Sequence, residues 1–174
     1  MLSMNSKTLT ADALRLYQEG DFENAARLFG EAASAFQALG KPLDAAEMKN
    51  NQSVALLQSG DAQASFEATI GTPEIFAAGG DFRREGMAYG NQATALTALG
   101  KMNEAANSYQ QAATALEKAG EDQLRASVMQ AIAGIQLRQG KLMQALLSMQ
   151  IGLAGVKHPT IKQKILRGLL RFRT

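Results

Sequence analysis

Residues 20–40 read GDFENAARLFGEAASAFQALG, and residues 100–120 read GKMNEAANSYQQAATALEKAG. In both stretches the apolar residues recur three and four positions apart, which is the spacing of one face of an α-helix. The face in the first stretch consists of Phe22, Ala25, Ala26, Phe29, Ala32, Ala33, Phe36 and Leu39. The second stretch places Met102, Ala105, Ala106, Tyr109, Ala112, Ala113, Leu116 and Ala119 at the same positions. The pattern predicts a repeated amphipathic helix, with Ala25, Ala32, Ala105 and Ala112 buried at close helix contacts.

Glycines divide the chain at a regular interval. One series recurs every 40 residues and a second lies midway between its members, which together gives Gly20, Gly40, Gly60, Gly80, Gly100, Gly120 and Gly140. Each glycine follows a helical pattern and precedes a polar start, where a left-handed C-terminal cap lets the chain turn into the next helix. We therefore expect helix breaks at these glycines. Another break is expected at Gly71, because Thr72 is a suitable N-cap and Pro73 is tolerated as a first helical residue.

The unit of two helices resembles the tetratricopeptide repeat. That repeat has a small residue and a large one three positions later in its first helix, as in Ala13 and Leu16. Its second helix carries Ala-x-x-x-aromatic, as in Ala25 and Phe29. The 40-residue unit is similar to the long-repeat type found in the Pins/LGN class of cell-polarity adaptors. The resemblance implies an all-α, right-handed helical solenoid of four helix pairs.

The predicted organisation of the chain follows from this resemblance. Residues 1–7 form an N-terminal extension, and residues 157–174 form a basic amphipathic C-terminal helix. Between them, residues 8–156 hold four repeats with approximate bounds of 8–40, 41–80, 81–120 and 121–156.

The composition favours one folded domain that lacks the residues of most catalytic sites. Hydrophobic residues make up 46% of the chain and charged residues 20%, so a continuous core can be buried. No cysteine is present and His158 is the single histidine, which excludes disulfides, thiolate chemistry and most metal sites. We therefore expect no cofactor and no enzymatic activity. No signal sequence or membrane span is evident, which favours the cytoplasm.

The basic charge of the chain is concentrated in its C-terminal segment. Residues 157–174 carry six basic and no acidic side chains, whereas the preceding part carries 12 basic and 16 acidic ones. The candidate residues of this helix are Lys162, Ile165, Arg167, Leu169 and Arg171. The helix could cap the last repeat by burying Ile165 and Leu169, or dock on an anionic membrane surface. A nucleic acid partner is disfavoured, because the body is acidic and basic residues do not alternate with aromatic ones.

The surface left for function is the groove that first helices line in this kind of fold. Asn51 and Asn91 hold the same position of successive repeats, and the long-repeat resemblance implies that asparagine there holds a peptide backbone. Further candidate contacts are Asn50, Tyr17 and Arg138. An ordinary pair of exposed asparagines fits the same spacing. The sequence thus predicts an adaptor that binds a peptide or a partner helix, and the alternative is a homo-oligomeric scaffold associated with a membrane through the C-terminal helix.

Overall fold

The computed structural model describes residues 2–171 of the chain, and it describes side chains from residue 5 to residue 169. This part contains helices and no strand, which confirms the all-α prediction. The helices are α1 (Leu2–Glu19), α2 (Phe22–Ala38), α3 (Pro42–Gln58), α4 (Ala62–Thr69), α5 (Thr72–Ala78), α6 (Phe82–Ala98), α7 (Met102–Lys118), α8 (Asp122–Arg138), α9 (Leu142–Ala154) and α10 (Ile161–Arg171). Because α1 begins at Leu2, residues 2–7 are its first turns and not a separate extension.

The helices pack as a chain of neighbours. The pairs are α1 with α2, α3 with α4 and α5, α6 with α7, and α8 with α9. Each second helix also packs on the first helix of the following pair, and α10 packs on α9. Contacts within each pair and between neighbouring pairs build a solenoid, in which every repeat buries its apolar face against the next.

The same turn ends the helices at all seven periodic glycines. Each of these glycines has a positive φ, between 68° and 94°, which is the left-handed region that glycine enters without a Cβ penalty. The residue after each glycine donates its backbone N–H to the carbonyl five positions earlier, as Lys41 does to Phe36 at 3.0 Å and Lys101 does to Leu96 at 2.9 Å. This is the hydrogen bond of a Schellman cap, and it confirms the predicted breaks.

Aspartates begin three of the helices that follow these turns. The carboxylates of Asp21, Asp61 and Asp81 accept the backbone N–H three residues later, at 3.3, 2.9 and 2.9 Å. An N-cap carboxylate satisfies a free N–H donor and interacts favourably with the positive end of the helix dipole. These side chains are therefore used for helix initiation.

Alanines fill the interior at the helix contacts. Ala25, Ala32, Ala105 and Ala112 are fully buried, as the apolar spacing predicts. A Cβ built on Gly86 would lie 2.6 Å from Cγ of Leu116, so α6 and α7 approach each other more closely there than a larger residue allows. Small side chains therefore set the distance between neighbouring helices.

The second helix of the second pair is broken, as expected. Helix α4 ends at Thr69, Gly71 has a φ of 79°, and α5 begins at Thr72. The Thr72 hydroxyl donates to Oδ1 of Asn50 at 3.0 Å, with the carbonyl of Thr69 at 2.9 Å as its other acceptor. The N-cap is Gly71, one residue before the predicted Thr72, because the Thr72 side chain turns inward to Asn50.

Polar contacts link first helices of successive pairs at nearly the repeat distance. Thr10 lies 3.3 Å from the sulfur of Met48, and Arg84 forms an ion pair with Glu47 at 2.9 Å. Arg83 pairs with Glu121 at 2.8 Å. These contacts join residues 37 or 38 positions apart and hold first helices side by side.

Candidate protein-binding face

The first helices α1, α3, α6 and α8 each present one stripe of accessible residues. The stripe of α1 lies at positions 7, 11, 14 and 18, and the stripes of the other three helices lie at the same positions plus 40, 80 and 120. We call the sixteen residues the A-helix face: Lys7, Ala11, Leu14, Gln18, Glu47, Asn51, Val54, Gln58, Met87, Asn91, Thr94, Ala98, Ser127, Ala131, Gly134 and Arg138. Every one of them is exposed or half-buried, whereas Ala13, Ser53, Ala93 and Ala133 on the packing side are buried. The spacing of three and four residues explains this division, because it selects one side of a helix.

The A-helix face is almost uncharged. Its charged members are Lys7, Glu47 and Arg138, and Glu47 is already paired with Arg84. The two central rows carry Ala11, Asn51, Asn91 and Ala131, then Leu14, Val54, Thr94 and Gly134. Small and uncharged side chains in the middle of a surface allow the backbone of a ligand to approach closely.

Asn51 and Asn91 hold equivalent positions at the centre of this face. Both are half-buried, and neither carboxamide has a hydrogen-bond partner among the residues whose side chains the structure describes. A carboxamide offers two donors and one acceptor oxygen, so each can bind both groups of a peptide unit. The neighbouring glutamine Gln92, by contrast, accepts a hydrogen bond from Ser108 at 3.0 Å and is used inside its own pair.

The other sequence-predicted contacts divide between the face and the packing. Arg138 is exposed and lies at the end of the α8 stripe. Asn50 is buried, and its Oδ1 accepts the hydroxyl of Thr72, so its place among the groove contacts is wrong. One residue along a helix is a rotation of 100°, which takes Asn50 away from the side of Asn51.

Tyr17 also lies beside the face and not in its stripe. Its ring contacts the ring of Phe22 edge to face with centroids 5.3 Å apart, and it packs against the core of the first pair. Sequence reasoning missed accessible members of the face such as Leu14 and Thr94. The forty-residue register of Asn51 and Asn91 is the signal that could have found them.

Helix α10 turns its apolar stripe in an unexpected direction. Ile165 and Leu169 are 60% and 65% exposed, so the expectation that a capping helix buries them against the last repeat is wrong. Half-buried Leu166 and Arg167 face the body instead, and the Arg167 guanidinium donates to the carbonyls of Leu153 and Val156. Lys162 is exposed, and the side chain of Arg171 lies outside the described residues.

A cleft remains under α10 where it meets α8 and α9. Its volume is about 220 Å³, and Ser127, Gln130, Leu153, Lys162 and Leu166 are among its lining residues. A well-packed protein interior leaves few voids larger than a water molecule. Helix α10 is therefore docked by a few side chains and not by a filled interface.

The described residues contain neither a candidate metal site nor a candidate membrane-spanning helix. No group of three or more histidine, cysteine, aspartate or glutamate side chains is close enough to hold a metal ion among these residues. None of the described helices combines the length and the apolar character needed to cross a bilayer. His158 is exposed, and its backbone carbonyl accepts a hydrogen bond from Gln123 at 3.0 Å.

Known proteins with the same architecture support this description. Comparison with curated proteins gives no significant match. The crystal structure of BtubC (BKLC) from P. vanneervenii is similar, with a TM-score of 0.76 and 19% identity over 95% of this chain and 71% of that chain. At this identity the likeness shows the fold alone.

A family model described as soluble NSF attachment protein, SNAP, matches residues 5–160. The match supports the helical-repeat part of the tetratricopeptide resemblance, and it gives no support to the Pins/LGN type. Because the matched residues make up far more than half of the sequence and include all four helix pairs, the chain belongs to the SNAP family.

Proposed function

We propose that this chain is a non-catalytic adaptor that attaches one protein to another, and that the A-helix face is its binding surface. The family name describes attachment proteins, which supports an interaction role. The absence of cysteine and of a histidine cluster in the sequence agrees with a role in binding. The cytoplasm is the compartment that we propose for it.

The observation that carries the proposal is the pair of unpartnered carboxamides on a continuous accessible surface. Asn51 and Asn91 are separated by one repeat, and the row between Ala11 and Ala131 contains no charged residue. Extended surfaces of this kind bind a peptide or a helix along their length.

The ligand that suits this face is a segment of low charge. Small residues leave room for its backbone, and two carboxamides supply hydrogen bonds that depend little on ligand side chains. Arg138 at one end and Lys7 at the other supply positive charge near the ends of the α8 and α1 stripes. We therefore propose an uncharged or weakly acidic peptide or amphipathic helix as the partner class.

The test is a peptide-display selection against the 174-residue chain, followed by affinity measurements on the Asn51→Ala/Asn91→Ala variant. Loss of two hydrogen bonds of about 1 kcal/mol each should weaken the selected peptides at least tenfold. Circular dichroism and urea unfolding should be nearly unchanged, because accessible substitutions shift stability by less than about 0.5 kcal/mol.

The matched control is Asn107→Ala/Gln111→Ala on α7, since both side chains are exposed and lie on a second helix. This variant should keep the affinity of the unaltered chain. Equal weakening by both pairs, or weakening by neither, would contradict the role of the A-helix face.

A self-assembling scaffold is the second candidate, and one observation favours it. Helix α9 is the second helix of the last pair, and it exposes Leu142, Met143, Leu147 and Ile151. Exposed apolar patches on a folded chain often mark contacts between proteins. Sedimentation equilibrium over a range of concentrations, with Met143→Ser/Leu147→Ser for comparison, distinguishes this scaffold from a monomeric adaptor.

A further inference from the structure

Helix α10 carries an apolar stripe that faces solvent. Ile161, Ile165 and Leu169 are spaced by four residues, so they lie on one side of the helix. Ile161 is 77% exposed and is among the most exposed large apolar side chains in the described part. Three exposed apolar residues on one side of a short helix form a patch, whereas single exposed apolar residues are common on protein surfaces.

The opposite side of α10 fixes this orientation. Gln163 donates to Oε1 of Gln123 on α8 at 3.2 Å, and Arg167 donates to the carbonyl of Leu153 in the last turn of α9 and to that of Val156 just beyond the helix. A cation at the C-terminal end of a helix is stabilised by the helix dipole. Because these contacts and Leu166 hold one side on the body, the isoleucine stripe is held outward.

Basic residues flank the stripe on both sides. Lys162 follows Ile161 and Lys164 precedes Ile165, which places each lysine about 100° around the helix from its neighbour. Both lysines are exposed, and residues 157–174 contain no acidic residue. An apolar stripe with a lysine on each flank is complementary to a surface with an apolar interior and negative headgroups.

The forty-residue register shows how α10 differs from the other first helices. The contact between Gln163 and Gln123 joins residues 40 positions apart, so α10 continues the register of α8. Position 161 corresponds to Lys41, Asp81 and Glu121, which are N-cap residues in the earlier repeats. Helices α3, α6 and α8 carry an acidic residue in the first turn, whereas α10 carries none. The N-cap of α10 is Thr160, whose hydroxyl accepts the backbone N–H of Gln163 at 3.3 Å, so Ile161 is a residue of the first turn and extends the exposed apolar stripe. An apolar stripe on a basic helix suits an anionic lipid surface.

We propose that α10 is a docking site for an anionic lipid bilayer. The helix lies parallel to the surface, its isoleucine stripe enters the boundary between headgroups and acyl chains, and Lys162 and Lys164 face the negative headgroups. A second copy of α10 is a poorer occupant, because pairing two stripes would bring four lysines together.

The test is flotation of the 174-residue chain with phosphatidylcholine vesicles prepared with and without phosphatidylserine. Binding should require phosphatidylserine and should fall as the salt concentration rises. The Lys162→Gln/Lys164→Gln variant should lose about fivefold in partitioning for each lysine. The Ile165→Ser variant should lose about tenfold, because it removes an apolar side chain from the lipid boundary.

Matched controls exist for both changes. Ile70 is 58% exposed in the break between α4 and α5, so Ile70→Ser should leave vesicle binding unchanged. Lys41→Gln/Lys49→Gln removes the same charge from two exposed positions, the N-cap of α3 and a residue within α3, and should also bind as the unaltered chain does. Circular dichroism spectra of all variants should coincide, which shows that the solenoid is intact.

Three results would overturn the proposal. Equal flotation with neutral and anionic vesicles would remove the role of the lysines. An Ile165→Ser variant that floats as well as the unaltered chain would remove the role of the stripe. A lipid-free dimer that Ile165→Ser abolishes would assign the stripe to a second copy of the chain.

Discussion

At the scale of single residues, the fold depends on small side chains at the contacts between helices. Ala25, Ala105 and Ala112 are fully buried, and Gly86 lies directly over Leu116. Alanine loses no side-chain rotamer entropy in a helix, and its volume permits close helix contacts. The interior is therefore sensitive to added volume more than to lost volume.

Replacing Ala105 with leucine tests this sensitivity. We expect a loss of about 1–3 kcal/mol in the free energy of unfolding, because three carbon atoms must be accommodated in a filled contact. Urea unfolding monitored by circular dichroism gives the value. Ala38→Leu at the exposed end of α2 is the control and should change stability by less than about 0.5 kcal/mol. Equal effects at the two sites would contradict the assigned packing.

Asp81 shows how one charged residue sets a helix start. Its carboxylate accepts the backbone N–H of Arg84 and pairs with the Arg84 guanidinium at 2.6 Å. These interactions hold the pKa of Asp81 below its ordinary value, the backbone hydrogen bond being the largest cause. A lowered pKa in the folded chain means that the ionised carboxylate is the form that stabilises the fold.

We therefore expect Asp81 to contribute stability above its unfolded pKa of about 3.9, and to lose that contribution as the pH falls through the lower folded pKa. Asp81→Ala should lower the free energy of unfolding by about 0.5–2 kcal/mol at pH values near 7, which is the usual effect of removing an N-cap. The difference between Asp81→Ala and the unaltered chain should shrink in urea titrations as the pH falls below the unfolded pKa of about 3.9. A difference that is independent of pH would exclude the ionised cap.

At the scale of helices, the break between α4 and α5 is the irregular element of the solenoid. The Thr72 hydroxyl contacts Asn50 and the end of α4, so a buried side chain on α3 holds the restart of α5. Phe76 of α5 is then buried with Ala46 and Ala88, between α3 and α6. Because the second helix of this pair is broken, α5 can place Phe76 in the space between the first helices α3 and α6.

Neighbouring asparagines on α3 separate structural from surface roles. Asn50→Ala should cost about 1–3 kcal/mol, because it removes a buried hydrogen-bond acceptor and leaves space behind. Asn51→Ala should cost less than about 0.5 kcal/mol, because that side chain has no described partner. Thermal and urea unfolding of the two single variants provide the comparison. A larger effect at Asn51 than at Asn50 would reverse the assignment of the two residues.

At the scale of the whole molecule, the forty-residue period accounts for what was predictable. The glycine turns, the buried alanines and the shared register of Asn51 and Asn91 all follow from spacing along the chain, because each helix packs on sequence neighbours. The orientation of α10 was not predictable in this way. Its sequence has apolar residues on two sides, Ile165 on one and Leu166 on the other, and the hydrogen bonds of Arg167 to the carbonyls of Leu153 and Val156 decide which side packs.

The neighbour-by-neighbour packing also predicts how the molecule responds to loss of its last helix. Deleting residues 160–174 removes the half-buried Leu166 and the Arg167 contacts, and the exposed stripe that is deleted with them contributes little to the fold. We expect the free energy of unfolding to fall by about 1–2 kcal/mol, which is the order of one partly buried leucine together with the hydrogen bonds of Arg167. A helix that buried the whole stripe would cost several kcal/mol.

Hydrogen exchange shows where that loss falls. In a solenoid each repeat contacts its neighbours, so protection should decrease in α8 and α9 and should stay unchanged in α1, α2 and α3. Ile165→Ser in the 174-residue chain is the matched variant, and it should leave protection unchanged throughout, because the isoleucine is already exposed. If the deletion weakened all helices equally, α10 would stabilise the solenoid as a whole. If Ile165→Ser reproduced the deletion, the stripe would be packed against the body in solution. The expected result, local loss on deletion and none on substitution, separates the side of α10 that holds it to the body from the side that is available to a membrane.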